Sequence, residues 1–419
     1  MILFVAFLFS VIVGLSNSEY SQDSCSNSNS SSDVSTVMNL LRILNYEERY
    51  KQHCSSLLTN YTPTDNHTIT FLPHVSGISD RFVGMATTLV LAFATNRRFL
   101  LGNMPELIDM ATAFDVSRNI SRDDVSDVSI ISALRENGMI GTGWHMFPTS
   151  DNKIAIVNAI GDDKYLLSKP FQDIAFNKHI NVLYVSTNRG LTIRAFGVQA
   201  YKKNLNAMGL TPLTAFGCAL GYMFAPKPDI FIPLLPVMQK MVSPESPNDI
   251  SIAIHIRTDD NVLNHGQSID MSAYTSYFDC ARSVEKMVLQ GKLGSVSRVK
   301  WYLFTDSVAL RRQAAKKYRG KVVTSLDVPV EHTAKEKICP LESCVSQSGF
   351  SSAVAEWWLL GEADYIVASL YSGFGKSSAA RAFHLHNTFF TFPGNKQDCL
   401  LSRNYFNNMR GLGRDLAGI

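Results

Sequence analysis

From residue 250 onward the sequence alternates short strand-like runs with longer helix-like ones: SIAIHIR, SAYTSYFDCARSVEKMVLQ, SRVKWYLFTDS, VALRRQAAKKY, KVVTSL, SSAVAEWWLLGEA and DYIVASL. This alternation is the pattern of a parallel sheet covered by helices on both faces. An earlier stretch repeats it. In TITFLPHVSGISDRFVGMATTLVLAFATNRRFLLG, TITFL reads as a strand, PHVSGISD as a turn, RFVGMATTLVLAFATN as a buried helix and RRFLL as the next strand, a βαβ unit. NKHINVLYVST adds a strand and TPLTAFGCALGYMFAP a helix, after which the proline-rich PKPDIFIPLLPVMQKMVSPESPND separates the two halves. The chain of 419 residues is long for a single core. The expected fold class is therefore α/β, with two doubly wound domains, 67–240 and 241–419.

The N-terminus carries a different signal. MILFVAFLFSVIVGL is apolar but shorter than the roughly 20 residues that cross a bilayer, and small polar residues follow it. Residues 1–18 read as a secretory signal or, alternatively, a short signal anchor in a Golgi-type membrane. Residues 19–66 read as a stem with a leading helix, since Val37, Leu40, Leu41 and Leu44 recur at helical spacing. Sequons at Asn29, Asn60, Asn66 and Asn119 and the seven cysteines suit an oxidising lumen, with Cys339 and Cys344 as the expected pair. The expected location is the secretory pathway, in the Golgi lumen or outside the cell. Lys plus Arg total 39 against 36 Asp plus Glu, too even a balance for non-specific nucleic-acid binding. No Cys-x-x-Cys or His-Cys cluster has zinc spacing.

Ligands of open parallel sheets bind beyond the carboxyl ends of the strands, so chemistry is expected there. In SIAIHIRTDD, Ile252, Ile254 and Ile256 share one face of the strand and Ala253, His255 and Arg257 the other. Arg257 falls at the carboxyl edge, where a guanidinium can hold two phosphate oxygens without a metal. A sheet-supporting ion pair is the other reading of the same arginine.

The stretch SLYSGFGKSS joins a strand to a helix through a glycine-bearing turn. Gly375, Lys376 and Ser377 match the end of a Walker loop, but its first glycine should stand at 370, which is Leu370. A phosphate cradle of another kind remains: hydroxyls at Ser369 and Ser372, close approach at Gly373 and Gly375, and free N–H groups at the helix start. A glycine-relaxed turn with serine caps is the bland alternative.

Four segments in order, SGISDRFVGMATTLVLAFATNRRFLL, IAIHIRTDD, WYLFTDS and AEWWLLGEADYIVASLYSGFGKSSAARAF, resemble the GDP-fucose-dependent fucosyltransferase superfamily over about residues 68–390. The flavour is that of the plant xyloglucan-type enzymes, with echoes of the α1,6-fucosyltransferases and NodZ. The resemblance implies two Rossmann-like domains facing a cleft, the GT-B type, and inverting transfer of fucose from GDP-fucose to a glycan hydroxyl. It places Gly77 and Arg81 across the cleft from the donor. Arg257 would hold the β-phosphate with His255 beside it, Asp306 would take the acidic position, and Ser372, Gly373 and Phe374 would form the closing loop. Where α1,6-type enzymes show two successive arginines, this chain has Arg257 and Thr258.

Such a transfer develops negative charge on the leaving diphosphate, which Arg257 and the helix start after Gly375 can stabilise by preorganised electrostatics. No Asp-x-Asp triplet occurs, and no metal or cofactor is expected. Asp259 and Asp260 are the candidate bases for the acceptor hydroxyl, the alternatives being solvated loop carboxylates and a proton relayed by water, with Asp80 a further carboxylate that could pair with Arg81 or touch the acceptor. Glu356 and Asp364 could bond ribose or backbone, whereas Trp357 and Trp358 read as core helix, with a guanine stacking platform as the alternative. An inactive nucleotide-sugar or glycan-binding protein of the same fold is the alternative function, and a nucleotide hydrolase built on GKSS a third.

Overall fold

The computed structural model describes residues 30–73, 76–103, 109–117, 120–124, 143–148, 153–160, 164–242, 248–258, 269–291, 296, 298–326, 328, 346–394 and 399–401. Its strands are β1 (Thr64–Phe71), β2 (Arg97–Asn103), β3 (Phe114–Val116), β4 (Ser121–Asp124), β5 (Gly143–Pro148), β6 (Lys153–Asn158), β7 (Ile180–Ser186), β8 (Phe224–Pro226), β9 (Asp249–Ile256), β10 (Arg298–Thr305), β11 (Val322–Val323), β12 (Tyr365–Ser369), β13 (Thr388–Thr391) and β14 (Leu400–Leu401). Its α-helices are α1 (Ser30–Ile43), α2 (Tyr46–Asn60), α3 (Ile78–Thr95), α4 (Lys169–Ala175), α5 (Gln199–Ala207), α6 (Ala215–Met223), α7 (Leu235–Met241), α8 (Thr275–Gly291), α9 (Val308–Lys317), α10 (Gln347–Gly361) and α11 (Gly373–Arg381).

The expected α/β class is observed, as two six-stranded sheets and a two-stranded ribbon of β3 and β8. The first sheet runs β4-β2-β1-β7-β6-β5, parallel except at β5. The second runs β11-β10-β9-β12-β13-β14, parallel except at β14. Counted within itself the second sheet has the doubly wound order, in which the chain moves outward one way from β9 and the other way from β12.

The alternation read in SIAIHIR is realised. Ile252, Ile254 and Ile256 enter a core with Tyr277, Phe278, Ala281 and Val284 of α8 on one face of the sheet. Ala253 enters another core on the opposite face, beneath α10 and α11. That core is continuous with the first half: Phe82 of α3 packs on Trp357 of α10 with ring centroids 4.3 Å apart. Helix α3 is buried almost throughout, as its composition predicts. At Gly84 an added Cβ would lie 2.1 Å from the Thr187 carbonyl oxygen, so only glycine lets α3 approach the end of β7 this closely.

The segment read as a stem with one helix forms two, because Asn45 adopts the left-handed conformation (φ 61°) that asparagine tolerates. Both helices pack into the molecule, with Val37 and Leu57 fully buried. Arg49 of α2 pairs with Glu362, which also bonds Arg381 at 2.7 Å. Two disulfides are described, Cys54–Cys218 joining α2 to α6 and Cys280–Cys399 joining α8 to the residue before β14. The expected Cys339–Cys344 pair, residues 1–18 and the Asn29 and Asn119 sequons lie outside the described residues, while Asn60 and Asn66 are exposed.

Candidate functional site

Because β9 and β12 are adjacent and their connections diverge, their carboxyl ends leave the crevice in which sheets of this order bind ligands. Arg257 follows β9 and Ser369 ends β12. The Arg257 main-chain N–H donates to Ser369 Oγ at 2.9 Å, and the Tyr277 hydroxyl of α8 meets the same oxygen at 2.8 Å. Ser369 Oγ lies 3.4 Å from the His255 carbonyl oxygen, to which it donates. A hydroxyl has one proton and two lone pairs, so Ser369 accepts from both Arg257 and Tyr277 and its capacity is filled. Expected as a ligand hydroxyl, Ser369 is instead the lock that fixes the strand ends.

The guanidinium is held from the other side. Arg257 Nη1 donates to Asp306 Oδ2 at 2.6 Å, and Asp306 Oδ1 accepts from the Thr258 N–H at 2.9 Å and the Thr258 hydroxyl at 2.8 Å. Asp306 follows β10, the strand beside β9. Of the two sequence readings of Arg257, the ion pair is observed, and it leaves the side chain about 30% exposed. Thr258, the residue after Arg257, fastens Asp306.

Helix α11 begins over this floor. Ser372 is its N-cap residue and makes no side-chain capping bond. Phe374 stacks on the His255 ring at 5.1 Å between centroids, and an added Cβ on Gly375 would lie 2.8 Å from Ala368 Cβ and 3.1 Å from His255 Nδ1. Glycine at 375 is therefore a packing requirement. Burial, aided by the nearby Arg257 charge, pushes His255 down to about 3, so the ring is neutral at physiological pH. Among the described residues its Nδ1 has no hydrogen-bond partner.

The rest of the GKSS stretch turns away. Lys376 is buried with its ammonium 5.9 Å from the Phe390 ring centroid. Ser377 Oγ accepts from the Trp357 indole N–H at 2.8 Å and donates to the Phe374 carbonyl at 3.2 Å. Expected among the ligand-binding residues, Ser377 is a core strut, because the second turn of α11 faces α10. The Lys376 placement also removes the resemblance to a Walker lysine, which must reach phosphate.

Across from α11, Gly77 is the N-cap residue of α3 and an added Cβ there would meet nothing within 4 Å. Ser79, in the first turn of α3, touches the other side: its Oγ is 3.0 Å from where a Cβ on Gly373 would stand. The Gly77 turn and the start of α11 therefore meet. Arg81 is only 2% exposed, so its guanidinium is not presented to solvent. Burial raises the Asp80 carboxyl above its ordinary value, with Arg189 pulling the other way.

Asp259 and Asp260 lie outside the described residues. Glu356 is paired with Arg311 through both oxygens at 2.8 Å, and Asp364 accepts from the Ser251 N–H and hydroxyl at 2.8 and 2.7 Å, near the amino ends of the strands. Trp357 and Trp358 are core, as expected. Sequence reasoning missed Thr258, Tyr277 and Ser79. Tyr277 carries no local signal, since only the pairing of β9 with β12 shows what its hydroxyl reaches. Among the described residues no three His, Cys, Asp or Glu side chains group to hold a metal.

No family model matches the chain, and no curated protein matches it. Among solved structures, a mutant of Arabidopsis thaliana FUT1 in complex with GDP aligns at TM-score 0.56 and 16% identity, covering 94% of this chain and 90% of that one. NodZ α-1,6-fucosyltransferase soaked with GDP-fucose, an enzyme of Bradyrhizobium, aligns at 0.44 and 13%, covering 78% and 97%. POFUT1 in complex with GDP aligns at 0.35 and 13%, covering 79% and 100%. At these identities the likeness is one of fold, and the fold this chain shares with the Arabidopsis protein is an α/β architecture carried through nearly the full length of both.

Proposed function

We propose that the protein is an inverting fucosyltransferase of the GT-B type, moving L-fucose from GDP-fucose to a hydroxyl of a glycan in the secretory pathway. Residues 67–240 would form the acceptor-side domain and 241–419 the donor domain, the two facing a cleft that holds the crevice at β9 and β12. The observation that carries the reading is the placement of Arg257, fixed through both backbone and guanidinium beside the N-terminus of α11 in a chain sharing its fold with a GDP-bound protein.

In the reaction an acceptor oxygen bonds to the anomeric carbon on the face opposite the diphosphate. The bond from that carbon to the diphosphate oxygen breaks, its electron pair leaves with GDP, and the acceptor proton passes to a base. Arg257 and the first N–H groups of α11 stabilise the departing charge where it develops. The residues proposed around the donor are Arg257, His255, Asp306, Ser372, Gly373, Phe374 and Gly375, with Gly77 opposite; the buried Arg81 would support the Gly77 turn from below rather than meet the sugar. Asp259 and Asp260 are the proposed bases. No metal enters the proposal, because a fixed guanidinium and a helix N-terminus supply the positive potential. The two disulfides suit an oxidising lumen such as that of the Golgi.

The direct test is incubation of the purified protein with GDP-fucose, EDTA and a panel of galactose-terminated and other oligosaccharides, read by mass spectrometry. The reading expects one deoxyhexose added to an acceptor, with the β-to-α or α-to-β inversion visible by NMR. GDP-fucose that is bound but never transferred to any acceptor would favour the inactive binding protein instead.

A further inference from the structure

We propose that Tyr371, backed by Phe392, is a stacking subsite for a pyranose ring of the acceptor glycan; this rests on the donor-site reading above. Tyr371 is the most exposed large apolar side chain among the described residues, at 84%. Its backbone is nevertheless held. It occupies the turn closed by the Ser372 N–H on the Ser369 carbonyl at 3.1 Å, and the preceding Leu370 N–H bonds the Thr391 carbonyl at 2.9 Å while its side chain packs on the core. The Tyr371 ring lies 6.3 Å from that of Phe392, inclined at 45°. Phe392 is itself anchored, since its carbonyl accepts from the Ser276 hydroxyl at 2.9 Å. A rigid turn thus holds an aromatic ring out to water at the mouth of the crevice.

The sheet order says what that ring can meet. Strands β10, β9, β12 and β13 are neighbours in that sequence, so Asp306, Arg257, Tyr371 and Phe392 follow one another along the carboxyl edge. A diphosphate bound at Arg257 and the start of α11 carries ribose on one side and fucose on the other, and the row offers two chemically different ends. The Asp306 and Thr258 end is polar and suits ribose hydroxyls. The Tyr371 and Phe392 end is aromatic and falls to the sugar side, where the acceptor must enter to attack the anomeric carbon. A pyranose has an apolar C–H face with a polar rim, and a tyrosine is its complement: a flat amphipathic ring that loses little entropy when it is covered.

The test uses the full protein and its Tyr371→Ala and Tyr371→Trp variants. GDP affinity is measured by calorimetry, and glycan capture on a printed oligosaccharide array with GDP present. The expected result is GDP affinity unchanged within about twofold in all three, glycan capture weakened by about tenfold or more in Tyr371→Ala, the scale of one lost aromatic stack, and capture retained in Tyr371→Trp. A tenfold loss of GDP affinity in Tyr371→Ala would assign the ring to the nucleobase and overturn the proposal. So would equal glycan capture by native protein and Tyr371→Ala, or no capture by the native protein with GDP bound. Native protein that fails to bind GDP at all defeats the donor-site reading, a separate outcome.

Discussion

The main-chain N–H of Arg257 donates to the hydroxyl of Ser369 at 2.9 Å, tying the end of β9 to the end of β12 at the one place where the second sheet reverses its direction of winding. An arginine that must meet phosphate gains from being held before the ligand arrives, because less ordering is then lost on binding. The same serine receives Tyr277, so the preorganisation extends into α8.

Tyr277→Phe and Ser369→Ala are therefore expected each to weaken GDP binding by about three- to tenfold, the scale of one net hydrogen bond. The double variant should lose less than the product of the two, since both act through one oxygen. Calorimetric GDP titration of the four proteins measures the coupling. Fully multiplicative losses would mean that Tyr277 does not act through Ser369.

Gly375→Ala should be costly in an otherwise helix-favouring exchange. Its Cβ would meet Ala368 Cβ at 2.8 Å and His255 Nδ1 at 3.1 Å, so α11 must lift from β12. We expect a stability loss of about 1–3 kcal/mol by urea unfolding, as for overpacked cores, together with weaker GDP binding. Gly77→Ala meets nothing within 4 Å, so its cost should be confined to the roughly 1 kcal/mol of a poorer N-cap.

The buried carboxylate of Glu362 faces two guanidiniums, Arg381 and Arg49. Burial alone would raise its carboxyl, but the two arginines outweigh it and hold the group below its ordinary value. Its stabilising contribution is thus present above about pH 4.5, the unperturbed glutamate range, and is lost as the pH falls through the depressed folded value. Glu362→Gln leaves both charges with a neutral partner, and guanidinium unfolding should show a loss of about 3–5 kcal/mol. GDP affinity should change by less than about twofold, because the site lies at the far end of α11.

His255 sets a second pH dependence of definite sign. It titrates near 3 when folded and near 6.5 when unfolded, so between these values the unfolded chain binds a proton that the folded one refuses. Stability should fall as the pH drops from about 6.5 toward 3, by up to about 1.4 kcal/mol per pH unit from this group. His384, also pushed down by burial, adds a slope of the same sign, so the difference between native protein and His255→Asn isolates the term. Urea midpoints across this range that run parallel in the two proteins would contradict it.

The strands and helices of the second half were legible because both faces of their sheet are covered, which leaves continuous apolar runs between helix-length segments. Arg257 could be placed at a strand end by counting alternate residues from Ile252. The partners that define its role could not. Asp306 and Thr258 meet across a strand boundary, and Tyr277 reaches Ser369 from α8, contacts that exist only once the register of β9, β10 and β12 is set. Ser377 turns into the core for a related reason: a serine near a helix start can face a ligand or the core, and only the packing of α10 decides. The break at Asn45 was hidden because leucines at helical spacing continue up to it while one backbone angle changes sign.

The central claim is that the Arg257 crevice binds a guanosine diphosphate without a metal. Calorimetric titration of residues 19–419 with GDP, UDP and ATP in EDTA, alongside Arg257→Ala, tests it most directly. The account predicts binding selective for GDP, unaffected by EDTA and weakened about ten- to hundredfold in the variant, the scale of a charge-assisted phosphate contact of about 1.5–3 kcal/mol. No GDP binding, binding that requires Mg²⁺, or equal affinity in Arg257→Ala would contradict it.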